Sequence, residues 1–409
     1  MRSYYSPTEN PEEFLALQRF ASVTLPHHRS RAILRMVNSV SEIFALSTAI
    51  LQSPPIGLNP NQCKRLATKP KTDEKALLQR AEELGVLLLL WTDPSYPEHL
   101  LPYVDAPPYL FVRGALQPED NSLAIGIVGS RRATLYGRGQ AVRFAKAFAE
   151  SGITVISGGA AGIDTASHRA TLEAGGRTIA VLGCGVDVPY PAENRGLFQE
   201  IATRGAILSE FALGIKPEPW HFPTRNRIIA GMSRFTLVIE APEDSGALIT
   251  ANYAIGYGRE VWAVPGDVSN GKSRGCHQLI RDGAHLADAP EDILSALNLA
   301  VNQNIAVPTE PLAAPRKPAQ KKVLPDEPGT VIPTPRDNPS PPVAPPVVNV
   351  PLSADEEKLL AVFTTAPLHL DEAVQAVGLT ASQGAVAATL LEMKKLIQRQ
   401  PGNFFIRIV

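Results

Sequence analysis

Gly126-Ile-Val-Gly129-Ser130-Arg131-Arg132 decides how this chain folds. The apolar, β-branched-rich run Ala124–Val128 ends at a glycine, and a helical pattern follows in which Val142, Ala145, Phe148 and Ala149 share one face. Strand, glycine turn and helix open a parallel α/β unit. Such a turn sets bare backbone N–H groups at a helix N-terminus, where anions bind well. The arrangement recurs at Ser157-Gly158-Gly159-Ala-Ala-Gly162-Ile-Asp164. A third turn, Phe222-Pro-Thr-Arg225-Asn226-Arg227, adds fixed positive charge at a helix start.

Outward from these turns, short strand candidates alternate with helical patterns: Ala124–Val128, Thr154–Ser157, Ile179–Leu182, Ala206–Ser209, Thr236–Glu240 and Val261–Val264. Each is a near-continuous apolar run, as strands buried on both faces require. Residues 123–300 therefore read as an α/β, doubly wound, Rossmann-like domain with a mainly parallel sheet, whose binding sites lie beyond the carboxyl ends of the strands. Residues 1–85 read as a helical module in which Phe14, Leu17 and Ala21 share one face and Ile33, Leu34, Val37 and Val40 another. Residues 86–122 form a proline-punctuated connector with short strands, ending in Tyr109-Leu-Phe-Val-Arg113. Fourteen prolines between Pro308 and Pro351 mark residues 301–351 as an extended linker. Residues 352–409 read as helices over Glu356–Phe363, Leu370–Val377 and Gln383–Ile397, a Pro401-Gly402-Asn403 turn and a last strand, a winged-helix-like pattern.

Composition narrows the function. The chain has 409 residues and a formal net charge of −1, so a polyanion site must be local rather than a property of the whole surface. Cys63, Cys184 and Cys276 stand alone, without the spacing of a disulfide framework or a zinc site. The N-terminus lacks a signal-peptide core, and the longest apolar run, Val86–Trp91, is too short to span a bilayer. A cytoplasmic protein without membrane contact is expected.

No G-x-G-x-x-G follows the first strand, and Gly183-Cys-Gly185 lacks the third glycine, so NAD and FAD are not expected. Gly266-Asp-Val-Ser-Asn-Gly271-Lys272-Ser273 matches the P-loop pattern but comes too late in the domain for the strand that would carry a Mg²⁺-binding Asp. It reads as a chance match, and no cofactor is expected. Asp164 and His168 are four apart on a helix with no second ligand at metal spacing, and read as a helix-start Asp near a surface His. Ser245-Gly246-Ala-Leu-Ile-Thr250 either faces a ligand or packs a helix closely on the sheet. In the C-terminal module the third helix carries only Lys394 and Lys395, at its far end, which favours protein contact or weak non-specific DNA contact over base reading.

In order along the chain stand Ile127-Val-Gly-Ser-Arg-Arg132, Ser157-Gly-Gly-Ala-Ala-Gly-Ile-Asp164, Thr178-Ile-Ala-Val-Leu-Gly183 and Val186-Asp-Val-Pro-Tyr-Pro191 with Asn194. Ser209-Glu-Phe211, Phe222-Pro-Thr-Arg-Asn-Arg-Ile-Ile-Ala-Gly231, Ser245-Gly-Ala-Leu-Ile-Thr-Ala251 and Gly258-Arg-Glu-Val-Trp-Ala-Val-Pro-Gly266 follow. This ordered set resembles the DprA/Smf family, the DNA-processing proteins of natural transformation. The resemblance covers residues 123 to about 294, with the connector similar to the family's lead-in and the ends to its flanking domains. The stretch Ala21-Ser-Val-Thr-Leu-Pro-His-His lacks the family's helix-hairpin-helix glycines, so residues 1–85 are a degenerate SAM/helix-hairpin-helix-like module.

The resemblance implies a non-enzymatic protein that binds and protects incoming single-stranded DNA and helps load the RecA recombinase. It implies a DNA pocket of Gly129, Ser130, Arg131, Gly158, Gly159, Arg225, Asn226 and Arg227, and a homodimer formed through the Rossmann-like domain at Gly275–Leu294. The alternative is a nucleotide-processing enzyme of the phosphoribohydrolase (lysine-decarboxylase-like) type, with Glu210 or Glu240 acting on the ribose. The absence of a P-G-G-x-G-T block counts against it.

Overall fold

The computed structural model of the chain describes residues 4–70, 72–302, 352–364, 368–394, 396–400 and 404–408. They fall into two units, residues 1–313 and 314–409. In the first, β1 (Tyr4–Tyr5), β2 (Val86–Leu90), β3 (Tyr109–Gly114), β4 (Ala124–Val128), β5 (Thr154–Ser157), β6 (Thr178–Val181), β7 (Ala206–Ser209), β8 (Phe235–Val238), β9 (Glu260–Ala263) and β10 (His285–Leu286) build one sheet. Its order is β1-β2-β3-β7-β6-β5-β4-β8-β9-β10. Strands β7 to β10 in that order run parallel, while β1, β2 and β3 join antiparallel at one side. The connector thus contributes two paired strands to the sheet, with Val112 of β3 opposite Leu208 of β7.

Alternation along the strands divides the core between the two faces. Ile125 and Ile127 of β4, Leu237 of β8 and Trp262 of β9 meet Phe144 and Phe148 of the helix Leu135–Glu150. Ala124 and Val128 of β4 and Leu208 of β7 point the other way, onto Ile228 and Ile229 of the helix His221–Met232 and Ala251 of the helix Gly246–Gly256. Of the expected face of Leu135–Glu150, Ala145, Phe148 and Ala149 are buried, joined by Ala141 and Phe144, whereas Val142 is 43% exposed. On the antiparallel side Val86, Leu88, Tyr109, Phe111 and Ile207 share a core with Phe14, Leu17, Ile33 and Leu34 of the N-terminal helices. The helical module therefore roofs the sheet.

The chain runs outward from β4 to β7 and then crosses back, along His221–Met232, to place β8 on the other side of β4. This reversal is a topological switch point, and it leaves a crevice beyond the carboxyl ends of β4 and β8.

The second unit has helices Ala354–Val362, Leu370–Ala376 and Ala381–Met393. Its small sheet has β11 (Leu368–His369), β13 (Phe404–Arg407) and β12 (Ile397–Gln400) side by side, antiparallel. The third helix stops at Met393, and Ile397, expected to end it, opens β12 instead. Its N-terminus is set by a capping box between Thr380 and Gln383. Lys394 lies against Glu356 at 2.7 Å. The expected linker beyond Asn302, the turn at residues 401–403 and Lys395 lie outside the described residues.

Candidate nucleic-acid interface

The switch-point crevice is a groove of about 900 Å³. One wall is the turn after β4, with Gly129, Ser130, Arg131 and Arg132; the opposite wall follows β8, with Ser245, Gly246 and Thr250. Arg225, Asn226 and Asp164 line its floor, and Tyr190, Phe222 and Lys272 its open side.

The floor is built around a buried cation. Arg225 is 4% exposed and donates from its guanidinium to the carbonyls of Gly158 and Val181 at the ends of β5 and β6, and from Nε to Asn226 Oδ1 at 3.0 Å. A Cβ on Gly158 would stand 2.2 Å from Arg225 Nη2, so only glycine leaves room for the guanidinium. Burial, helped by the nearby Arg131, lowers the Arg225 pKa to about 10, against the opposing pull of Asp164, and the group stays charged at neutral pH. Burial raises the Asp164 pKa, opposed by Arg225 and by the Ala160 N–H, which donates to its carboxylate at 3.2 Å. Asn226 Nδ2 donates to the Gly246 carbonyl at 3.2 Å, tying the floor helix to the second wall.

Some amides of the turns, expected to be bare, are bonded within the protein. Ser130 N–H donates to the Glu240 carbonyl at 2.7 Å, Arg132 N–H to Ser130 Oγ at 3.1 Å, and Ile163 N–H to the Ser130 carbonyl at 3.2 Å. Gly162, at φ +86°, makes the last contact possible, since a Cβ there would lie 2.3 Å from the Ser130 carbonyl oxygen. Glu240 takes the Thr134 N–H at 3.0 Å and the Thr134 hydroxyl, sealing the start of Leu135–Glu150. Positive side chains supply further attraction for an anion.

Those side chains stand at the rim. Arg131 is exposed, and its guanidinium carbon lies 4.5 Å from the centroid of the Phe222 ring. The rings of Phe222 and Tyr190 are 5.5 Å apart, and Tyr190 is 41% exposed. A flat cation on an aromatic ring beside a second exposed ring gives stacking surfaces next to positive charge. Sequence reasoning did not single out Tyr190, Phe222 or Lys272 as site residues. The first two sat inside quoted blocks, and the lysine sat in the P-loop-like string, whose loop folds on itself through bonds from Ser269 and Asn270 to Asp267.

Of the expected pocket, Gly129, Ser130, Arg131, Arg225 and Asn226 line the groove, while Gly158 and Gly159 sit behind it. Arg227 leaves it altogether. It is 3% exposed, points to the opposite side of its helix, and pairs with Glu210 at 2.5 Å and His27 of the helical module at 2.7 Å. Residues two apart on a helix lie about 200° round the axis, so both arginines cannot face one groove. Burial alone would raise the Glu210 pKa, but Arg227 and His27 outweigh it and hold the carboxyl at about 2. Both carboxylates of the hydrolase alternative, Glu210 and Glu240, are thus engaged. His168, read as a surface residue, is fully buried and hydrogen-bonded through Nδ1 to Thr178 Oγ1 at 2.7 Å. Burial, with Arg225 nearby, pushes its pKa down to about 3.

Loops around the groove are gripped from behind by the helical module. Gln18 donates to the Leu213 carbonyl at 3.1 Å and accepts from its N–H at 3.0 Å. Arg80 donates to the Asp187 carboxylate at 2.7 Å and to its carbonyl at 2.8 Å. Among the described residues no cluster of three or more His, Cys, Asp or Glu is poised for a metal, and no helix is long and apolar enough to cross a membrane.

The sequence matches the family model of DNA recombination-mediator protein A over residues 87–298 and that of the DprA winged helix domain over residues 339–403. Protein Smf of Synechocystis is 37% identical over 337 residues, 81% of this chain and 82% of that protein. DNA processing protein DprA of Streptococcus pneumoniae is 42% identical over 207 residues, 50% of this chain and 71% of that one. The X-ray structure of DprA from Streptococcus pneumoniae superposes with a TM-score of 0.58 at 33% identity, covering 69% of this chain and 97% of that chain.

Proposed function

This chain belongs to the DprA/Smf family, and from that premise we propose that it binds incoming single-stranded DNA, protects it, and helps load the RecA recombinase, without chemistry of its own. One observation carries the reading: the Arg131 guanidinium sits 4.5 Å from the centre of the Phe222 ring, next to the exposed Tyr190, at the mouth of an open groove. Unpaired bases offer π-faces that such rings accept, each worth about 1–3 kcal/mol. Arg131, Arg132 and Lys272 meet the phosphates, with the buried Arg225 adding fixed charge from below. A duplex hides its base faces and loses the stacking term.

We assign Gly129, Ser130, Arg131, Arg225 and Asn226 to the groove itself, Gly158 and Gly159 to seating it, and Arg227 to its support from behind. The homodimer is proposed to form through Gly275–Leu294, a segment that contains the edge strand β10 with Leu286 47% exposed. In the winged-helix unit, the exposed Val386 and Leu390 on the third helix favour a protein partner over a DNA groove.

Fluorescence anisotropy with labelled oligo-dT and a duplex of equal length, across a salt series, tests the reading. Single strand should bind better. About four phosphate contacts at roughly 0.7 each give a log–log salt slope near −3. Equal affinity for the duplex removes the stacking argument, and no binding of either at low salt overturns the function. A RecA filament-assembly assay on the bound strand then tests loading: filaments no faster than without the protein would refute it.

A further inference from the structure

Behind the loop that carries Tyr190 lies a second, smaller cleft of about 210 Å³. It opens between the helix Glu74–Glu83 of the helical module and the helix Arg195–Arg204. The cleft and the groove share one wall. Pro189 lines the cleft and Tyr190, the next residue, lines the groove. Adjacent Cα atoms are about 3.8 Å apart, so a single loop separates the two spaces.

Arg80, Arg113 and Arg195 converge on this cleft, outnumbering the two carboxylates that line it, Glu83 and Asp187. Arg80 is held by Asp187, whose second carboxylate oxygen accepts the Gly214 N–H at 2.9 Å. Among the described residues Arg113 and Arg195 make no ion pair. Arg113 is half-buried on β3; burial lowers its pKa, Asp187 acts in the opposite sense from a distance, and the guanidinium keeps its charge. The floor between them is apolar, formed by Leu182 and Phe198.

A half-buried guanidinium without a counter-ion bears a desolvation cost that a bound anion relieves. Phosphate suits the forked donors of arginine, and an apolar floor suits a sugar or base attached to it. We propose that the cleft is a second subsite for a nucleoside-phosphate unit, with the phosphate on Arg113 and Arg195. The single-strand reading enters only as the source of that unit, the strand leaving the groove over Tyr190. A free nucleotide presents the same chemistry.

The test uses the full chain, the exposed-site variant Arg195→Ala, and the double variant Arg113→Gln/Arg195→Ala. Each is titrated with a short oligo-dT that fills the groove alone, a longer oligo-dT, and thymidine monophosphate. With the strand as source, the variants bind the short oligonucleotide like the wild type. They bind the longer one about tenfold more weakly, with a salt slope shallower by about 0.7 per arginine removed. With a free nucleotide as source, the monophosphate gives calorimetric heat with the wild type and none with the double variant, while both oligonucleotides bind unchanged. Identical behaviour of wild type and Arg195→Ala toward all three ligands overturns the subsite. A wild type that binds neither oligonucleotide overturns the single-strand reading instead, and the monophosphate still decides the cleft.

Discussion

At the rim of the groove Arg131 is exposed and rests on the Phe222 ring, whereas in the helix beneath it Arg225 and Arg227 are 4% and 3% exposed and are held by partners inside the protein, Arg225 by backbone carbonyls and Arg227 by Glu210 and His27. The rim arginine keeps its hydration and can trade it for a phosphate. The helix arginines lost their hydration when the chain folded, and their hydrogen bonds replace it. On the proposed reading, one residue type serves recognition in the first region and architecture in the second. A substitution should separate the two as loss of affinity without loss of stability, or the reverse.

The largest effect is expected from Arg227→Ala, which leaves Glu210 buried with only His27 beside it. Denaturant unfolding should show a loss of about 3–5 kcal/mol. A loss below about 1 kcal/mol would break the division between rim and helix. The same pair predicts acid behaviour. The Glu210 pKa is depressed to about 2 from 4.5, so its stabilisation is fully present above the ordinary carboxylate range and disappears as pH falls through about 2. Unfolding followed between pH 5 and 2 should steepen in the wild type and flatten in Glu210→Gln; Arg131→Ala should keep the wild-type profile. Gly158→Ala pushes a Cβ into the Arg225 guanidinium and should lower stability by about 1–3 kcal/mol. Its effect on oligo-dT binding should track the displaced floor rather than a lost contact, leaving the salt slope unchanged. Arg131→Ala should shift stability by less than about 0.5 kcal/mol. It should weaken oligo-dT binding about tenfold and make the salt slope shallower by roughly 0.7. If it unfolds the protein instead, the rim is architecture too.

The parallel strands were legible because runs buried on both faces, such as Ala124–Val128 and Thr154–Ser157, each lead through a glycine turn into a helical pattern. Strand β1, two residues long, and the antiparallel pairing of β2 and β3 were not, since nothing local tells a proline-flanked apolar run which neighbour it will join. The three turns pointed to the edge of the sheet at which the groove opens. They did not show which amides were free, because Ser130 and Arg132 find their partners at Glu240 and within the turn itself. The opposed directions of Arg225 and Arg227 follow from helical geometry once Phe222–Arg227 is placed inside a helix rather than ahead of one. Phe222 and Tyr190 became visible as a pair only when the crossover brought residues 32 apart in sequence to a 5.5 Å ring separation.

Gln18, His27 and Arg80 reach from the helical module to Leu213, Glu210 and Asp187, across a core that also covers Val86, Leu88, Tyr109 and Phe111. The module is consequently not an exchangeable cassette. A protease that removed residues 1–85 would strip β1 from the sheet and leave an apolar face in water. A chimera that took this segment from a relative would have to inherit both sides of the seam together.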